Sequence, residues 1–365
     1  MYPVNLGRDN TYVSQNLLDT ERPKIQGGVQ TAHSLIYTHC VEHMDSEHHK
    51  EVLEKRLAWV NTVLENESPD IRPPDANQKP GGLVVLHQGI PTIIVPDLHG
   101  RHDYLSDLIR FTYKRKQIYD WLKEERIQIV CVGDGMHGER RAASRWRLAF
   151  EEYKEGFKEC PAMAEEMREN FQTMAMVMKL KSTFPAHFHF LKGNHENILD
   201  ESVNGNHPFA KFAAEGPMTK FYVEMFFGPE FLSQYDRFEK NLPLLARGTF
   251  FLISHARPKK IYAVDEIINY RSRPDLIEGL TWTRHQAAEI GAVSKTLDTL
   301  IGDCPEKKAW FVGHTAIKKL YKQWEEEPLI EIHNPDKRIM VIVDPTESFA
   351  PDRHITVLPS TKTSR

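Results

Sequence analysis

Phe188-His189-Phe190-Leu191-Lys192-Gly193-Asn194-His195-Glu196 begins as a short apolar run and ends as a row of polar groups. Phe188–Leu191 has the composition of a strand, and Gly193 marks where it stops. An amide, an imidazole and a carboxylate then follow in consecutive positions. Four other apolar runs end in the same way. Thr92–Val95 leads into Pro96-Asp97-Leu98-His99-Gly100, and Ile127–Val132 into Gly133-Asp134-Gly135. Phe250–Ile253 leads into Ser254-His255-Ala256-Arg257, and Trp310–Val312 into Gly313-His314-Thr315. In α/β sheets, ligands gather beyond the carboxyl ends of the strands, so these five ends can converge on one site.

The chemistry at the five ends is that of a catalytic di-metal centre. Mixed oxygen and nitrogen donors suit Mn²⁺, Fe or Zn²⁺. A carboxylate has to bridge two ions roughly 3.5–4 Å apart, so that a shared water ionises near neutral pH. A histidine outside the ligand set can protonate the leaving oxygen. Arginines match phosphoryl oxygens through their planar fork. Taken singly, each motif has a plainer reading. Asp-x-His recurs by chance, Gly-Asp is an ordinary turn, and Asn194 could merely cap a helix. The metal reading comes from the conjunction of all five, in order, each after an apolar run.

That ordered set resembles the calcineurin-like metallophosphoesterase superfamily over roughly residues 90–345. Asp97-x-His99-Gly100 and Gly193-Asn194-His195-Glu196 look like its phosphoprotein phosphatase branch. That branch includes bacterial and phage serine/threonine phosphatases and symmetrical diadenosine tetraphosphatase. The resemblance implies an α/β (α+β) fold, a four-layer β-sandwich of two mixed sheets flanked by helices. Two divalent ions are implied, with Mn²⁺ first and Fe or Zn²⁺ as alternatives. Asp97 and His99 would hold the first ion, Asp134 would bridge, and Asn194, His255 and His314 would hold the second. His195 would be the general acid and Glu196 its supporting neighbour. No histidine follows at i+2 from His314, which favours the phosphatase branch.

The second motif departs from the family's Gly-Asp-x-x-Asp-Arg-Gly. Here it runs Gly133-Asp134-Gly135-Met136-His137-Gly138-Glu139-Arg140-Arg141. His137 stands where the Asp that orients the general acid belongs, and Gly138 where the phosphate-binding Arg belongs. Either Glu139 or His137 is therefore expected to orient His195, and Arg140 or Arg141 to reach the phosphate. First-turn helix residues are the alternative. Arg257 and Arg284, the latter in a Trp-x-Arg segment, are the other phosphate-binding candidates.

Working outward, Leu53, Leu57, Val60 and Leu64 fall on one helical face within 46–65. Ser68–Gly82 carries four prolines and Gly81-Gly82, and it reads as a linker that closes an N-terminal extension, residues 1–82. The domain proper is then 83–365, with a helical insertion, 139–182, broken at Pro161. Met163, Met167, Phe171, Met174 and Met178 make a stripe along that insertion, which reads as core. The insertion could cap the substrate pocket or only pack on the sandwich. Further helices are expected at about 104–125, up to about 240, and at 287–301, and closing strands at Ile339–Val343 and Ile355–Leu358. His39-Cys40-x-x-His43 and His48-His49 match no well-formed zinc finger and read as a solvated helix.

The 365 residues include 51 acidic and 47 basic ones, with 40% apolar. A net charge of −4 lacks the basic excess of a general nucleic-acid binder, so nucleic acid is not an expected partner. No run of about 18 apolar residues and no export signal are visible, so a cytoplasmic protein with reduced cysteines and no membrane span is expected. The leading function is hydrolysis of phosphomonoesters, chiefly phosphoserine or phosphothreonine in proteins, by direct attack of a metal-bridging hydroxide. Dinucleoside polyphosphates, nucleotides and phosphodiesters are the alternative substrates. A non-catalytic scaffold on the same fold is the rival from another class.

Overall fold

In the computed structural model, residues 50–360 are described. Two sheets dominate. One has six strands in the order β1 (Leu83–Val85), β7 (Leu245–Arg247), β8 (Phe251–Ser254), β9 (Ala309–Val312), β11 (Leu329–Glu331) and β10 (Lys322–Gln323). The other has five, in the order β13 (Ile355–Val357), β12 (Ile339–Val343), β2 (Thr92–Val95), β5 (Gln128–Cys131) and β6 (Phe188–Phe190). Both are mixed. β2, β5 and β6 run parallel, while β12 is antiparallel to β2. β8, β9 and β11 run parallel, while β7 is antiparallel to β8.

Strand alternation builds the layers. Ile94, Val130, Ile253, Phe311 and Ile330 point into the space between the sheets and share one apolar cluster. Their neighbours Ile93, Val95, Ile129 and Cys131 point outward to a helical layer. On the other side Leu252, Trp310 and Leu329 meet Leu276, Leu280, Val293 and Leu297 of a second helical layer. Strands covered on both faces are apolar throughout, which is why these runs lack the alternation of a half-exposed sheet. The result is the expected four-layer sandwich.

The insertion packs on the sandwich. Helix Pro161–Thr183 is buried along most of its length, with Met163, Met167, Phe171, Met174 and Met178 in the core, and helix Ala143–Lys154 lies against it. Pro161 occupies the first helical turn, where its missing N–H is no loss. Helix Lys50–Glu65 packs on Pro161–Thr183 and on Pro229–Lys240, so Leu53, Leu57, Val60 and Leu64 belong to the same core. Ser68–Gly82 is held rather than free. Arg72 is fully buried, donating to Gly81 O and pairing with Glu67 at 2.7 Å. The proline and glycine signals there mark tight turns around a buried guanidinium. The cysteine and histidine motifs between His39 and His49 lie outside the described residues.

Three local expectations change. The helix expected at about 104–125 is two helices, His102–Arg110 and Ile118–Lys123, separated by the two-stranded ribbon β3 (Thr112–Tyr113) and β4 (Lys116–Gln117). Lys114 and Arg115 turn that ribbon with φ of 47° and 69°, a turn made without glycine. The helix expected at 287–301 starts only at Ala292. β11 and β10 were not foreseen. Cys131, Cys160 and Cys304 are free thiols.

Candidate metal centre

The topology brings the strand ends together. β2, β5 and β6 end side by side, and the loops that follow are stitched by backbone hydrogen bonds. Leu98 N and His99 N both donate to Asp134 O, and Gly100 N donates to Gly135 O at 2.8 Å. From the other sheet, Gly313 N donates to His255 O at 2.8 Å. Gly313 has to be glycine, because any side chain there would run into Asp97 Oδ1. His99, Asp134, His137 and His314 all sit in the left-handed region, at φ of 45°, 51°, 65° and 58°. Such non-glycine residues are strained and persist where surrounding contacts over-determine them.

Asp134 stands at the centre. Its Oδ2 lies 3.7 Å from His99 Nε2 on one side and 3.4 Å from His255 Nε2 on the other. Asp97 Oδ2 lies 3.8 Å from His99 Nε2. Asn194 Oδ1 is 2.9 Å from His255 Nε2 and 2.8 Å from His314 Nδ1. Donors held about 2.1 Å from one ion sit roughly 3.0–3.4 Å apart, so these separations are near what a shared cation requires. All six donor residues expected from the sequence are thus gathered in one place.

The histidine tautomers suit the same end. His255 Nδ1 lies 3.1 Å from Val132 O, and His99 Nδ1 lies 3.1 Å from His137 O. Carbonyls only accept, so in both rings Nδ1 carries the hydrogen and Nε2 keeps its lone pair toward the carboxylates. Burial pushes Asp97 up to about 6, with His333 opposing the rise and the Glu139 charge adding to it, and burial pushes Asp134 well above the usual carboxylate range, with the Asp97 and Glu196 charges adding to it. Burial drives His99 down to about 3 and His255 well below the usual histidine range. His314 falls to about 3, by burial first and the Arg284 charge second. Packed carboxylates and neutral imidazoles, shielded from water, are the donor set a divalent cation completes.

His195 stands beside this set. Its Nε2 is 3.6 Å from Asp134 Oδ2, and its Nδ1 is 2.9 Å from His137 Nδ1. His137 Nε2 in turn faces Thr219 Oγ1 at 3.2 Å. Phe209 lies against both rings. Glu196 ties two motifs together: its carboxylate accepts from Asp134 N at 2.9 Å, Gly135 N at 2.8 Å and Gly193 N at 2.6 Å. The loop between Asp134 and Arg141 is braced from the insertion. Gly138 N donates to Glu166 Oε1 at 2.6 Å and His137 N to Asn170 Oδ1 at 3.1 Å.

Of the two residues expected to touch His195, His137 is in contact, and Glu139 turns away. Glu139 pairs with His333 at 3.0 Å and lies 3.3 Å from Lys211 Nζ and 3.7 Å from His99 Nε2. Burial alone would raise Glu139, but His99, His333 and Lys211 outweigh it and hold it low. The arginines are dispersed. Arg141 joins Glu169 and donates to His99 O at 3.0 Å, while Arg140 is exposed. Arg284 is exposed near His314. Arg257 is buried, with its guanidinium on Glu327 and over the Trp324 ring. Two residues at the centre were not foreseen: Lys211, and His333 at the end of β11. The one available signal for His333 was Leu329-Ile330-Glu331-Ile332 running into a histidine, an apolar run interrupted by Glu331.

Donors of this kind, at the shared end of two stacked mixed sheets, mark a metallohydrolase. The chain belongs to the calcineurin-like phosphoesterase family, whose model matches residues 90–325, and so is a metal-dependent phosphoesterase. No curated protein matches the chain in sequence. Among solved structures, it is similar to a protein serine/threonine phosphatase from Saccharomyces cerevisiae, with 11% identity over 85% of this chain and 89% of that one, and a TM-score of 0.55. At that identity the likeness concerns the fold. A cold-active protein-tyrosine phosphatase of a psychrophilic Shewanella species aligns at 12% identity over 76% of this chain and 82% of that one, with a TM-score of 0.44. Among the described residues no helix is long and apolar enough to cross a membrane.

Proposed function

We propose that this protein hydrolyses phosphomonoesters at a dinuclear centre, with phosphoserine and phosphothreonine in proteins as the leading substrates and Mn²⁺ as the metal. The observation that carries the reading is His195, a buried imidazole held by His137 at 2.9 Å and aimed at Asp134 at 3.6 Å. A purely structural metal site has no use for a further imidazole beside its ligands. A phosphoester hydrolase does, because the leaving oxygen has to be protonated.

Asp97, His99 and Asp134 would hold one ion, and Asp134, Asn194, His255 and His314 the other. Bound there, the two ions supply Lewis acidity for the phosphoryl oxygens and a nucleophile competent at neutral pH. The chain's own part is positioning and proton transfer. His195, once protonated on both ring nitrogens, would give the proton on Nε2 to the ester oxygen as the P–O bond breaks and be left as the neutral imidazole, its Nδ1–H still donated to His137 Nδ1. His137 holds the His195 ring in that orientation through Nδ1. Glu196 fixes the relative positions of the Asp134 and Asn194 loops through three backbone amides. Arg284, exposed beside His314, is the leading candidate to meet phosphate; Arg140, also exposed, and Arg141, already paired with Glu169, are the others. Arg257 is engaged by Glu327, which argues for a structural ion pair.

The substrate class is tested by phosphate release from phosphoserine and phosphothreonine peptides, diadenosine tetraphosphate and bis(p-nitrophenyl) phosphate, each with Mn²⁺ and with chelator. Metal-dependent turnover that is fastest on the phosphopeptides supports the proposal. Faster turnover of the diester or the dinucleotide would replace it with a phosphodiesterase or nucleotide hydrolase. Turnover of none, by protein that binds two ions, would favour the scaffold.

A further inference from the structure

A sixth strand end reaches the centre. β11 runs parallel to β9, so His333 emerges beside Gly313-His314. Its backbone is fixed on both sides: Ile332 N donates to Val312 O and Ile317 N to His333 O, both at 2.9 Å. The residue is 1% exposed. Nε2 meets Glu139 Oε2 at 3.0 Å, and since an ionised carboxylate only accepts, Nε2 carries the hydrogen. Nδ1 has no hydrogen-bond partner, and it lies 3.5 Å from Asp97 Oδ2. The ring sits 5.3 Å from that of His99, centroid to centroid. Asp97, His99 and His333 can each direct one ligand atom to a common point.

A buried nitrogen lone pair left without a partner is unfavourable by about 1–3 kcal/mol, so the fold has a reason to aim it at something. A histidine whose one nitrogen is held by a carboxylate, while the other faces further carboxylate and imidazole donors, has the arrangement of a metal ligand with its supporting partner. We infer that His333 is an additional ligand of the ion held by Asp97 and His99, and that Glu139 is its positioning residue. The inference rests on the metal-centre reading above. It also accounts for Glu139, which the sequence offered with His137 as a candidate to orient His195 and which pairs with His333 instead. A second imidazole beside His99 makes that site richer in nitrogen, shifting it from Mg²⁺ toward Mn²⁺, Fe or Zn²⁺.

The test is calorimetric titration of chelator-treated full-length protein with Mn²⁺, comparing wild type, His333→Asn, Glu139→Gln and His314→Ala. Wild type is expected to take up two ions. His333→Asn should weaken one site by roughly 10–100-fold and leave the other unchanged, and Glu139→Gln should weaken the same site, by less. His314→Ala should weaken the other site. Unchanged binding in both His333→Asn and Glu139→Gln, or equal loss at both sites, would overturn the inference while leaving the metal centre standing. Wild type that takes up no ion would overturn the metal-centre reading and this inference with it. If His333→Asn does not fold, as judged by thermal unfolding of the metal-free protein, Glu139→Gln decides.

Discussion

His137 uses every part of its side chain. Its ring stacks on Phe209 and meets Trp146 edge-on, Nδ1 faces His195 and Nε2 faces Thr219. Burial lowers it to about 4, so at neutral pH it is an uncharged partner where the family pattern has a carboxylate. A neutral ring can fix the orientation of His195 but adds no negative charge to stabilise its protonated form. His137→Ala is therefore expected to lower kcat by roughly 10–100-fold with little change in KM, the usual result of losing an orienting partner. His137→Asp should keep activity within about tenfold, because Asp tolerates the left-handed backbone and can accept the same hydrogen bond. Steady-state kinetics on a phosphopeptide check both. An inactive His137→Asp would mean that the ring, and not the hydrogen bond, matters.

Among the elements, the junction of helix Lys50–Glu65 with helix Pro161–Thr183 depends on a buried cluster. Glu67 pairs with Arg72 at 2.7 Å and with Lys181, and Lys181 also donates to Pro185 O at 2.7 Å. Burial would raise Glu67, but Lys181 and Arg72 pull it down to about 2 from an ordinary value of 4.5. Burial lowers Lys181 too, the mark of a desolvation penalty that the pair must offset; the acid limb follows Glu67, the member that changes charge there. A depressed carboxyl contributes stability that is present above its unfolded value and is lost as pH falls toward the folded one. Glu67→Gln is thus expected to lose about 3–5 kcal/mol at pH 7, a deficit that shrinks as pH drops from 4.5 toward 2. Urea unfolding at several pH values measures it, and a deficit independent of pH would contradict the assignment.

Elements also set how much of the site the sequence could disclose. Four of the five motif strands announce themselves locally, by an apolar run and a glycine, because both faces of these strands are covered and the chain must turn at once into the site. β11 carries Glu331 inside the strand and has no glycine before His333, so it gives no such signal. The ribbon after Arg110 is hidden because Lys114 and Arg115 make its turn instead of glycine. Glu139 and the arginines were legible as candidates but not as assignments, since sequence distance says nothing of which histidine or phosphate a long side chain meets. The choice between His137 and Glu139 beside His195 is made by the fold of the Asp134–Arg141 loop on Glu166 and Asn170.

At the scale of the molecule, the sandwich and its metal centre stabilise one another. The donors come from both sheets, Asp97, His99, Asp134 and Asn194 from one and His255 and His314 from the other. Ions that bind only the folded chain stabilise it by mass action, about 2.7 kcal/mol at a hundredfold excess over Kd. For a chain of this size, that corresponds to a rise of roughly 3–4 °C in Tm on adding Mn²⁺ to chelated protein. Scanning calorimetry reads the shift, which should fall in Asp134→Asn, the variant that weakens both sites together. The core should be less forgiving than the surface. Phe311→Ala, between the sheets, is expected to lose about 3–5 kcal/mol by calorimetry with activity per folded molecule preserved.

On the proposed reading, His195 protonates the leaving oxygen at a metal centre. This step is tested most directly by comparing wild type and His195→Asn, both with Mn²⁺, on p-nitrophenyl phosphate and on a phosphoserine peptide. The nitrophenolate leaves with little help, whereas the serine alkoxide needs its proton. His195→Asn is expected to slow the peptide by roughly 10²–10⁴-fold and the nitrophenyl ester far less. Equal losses on both substrates, or no loss on either, would contradict it.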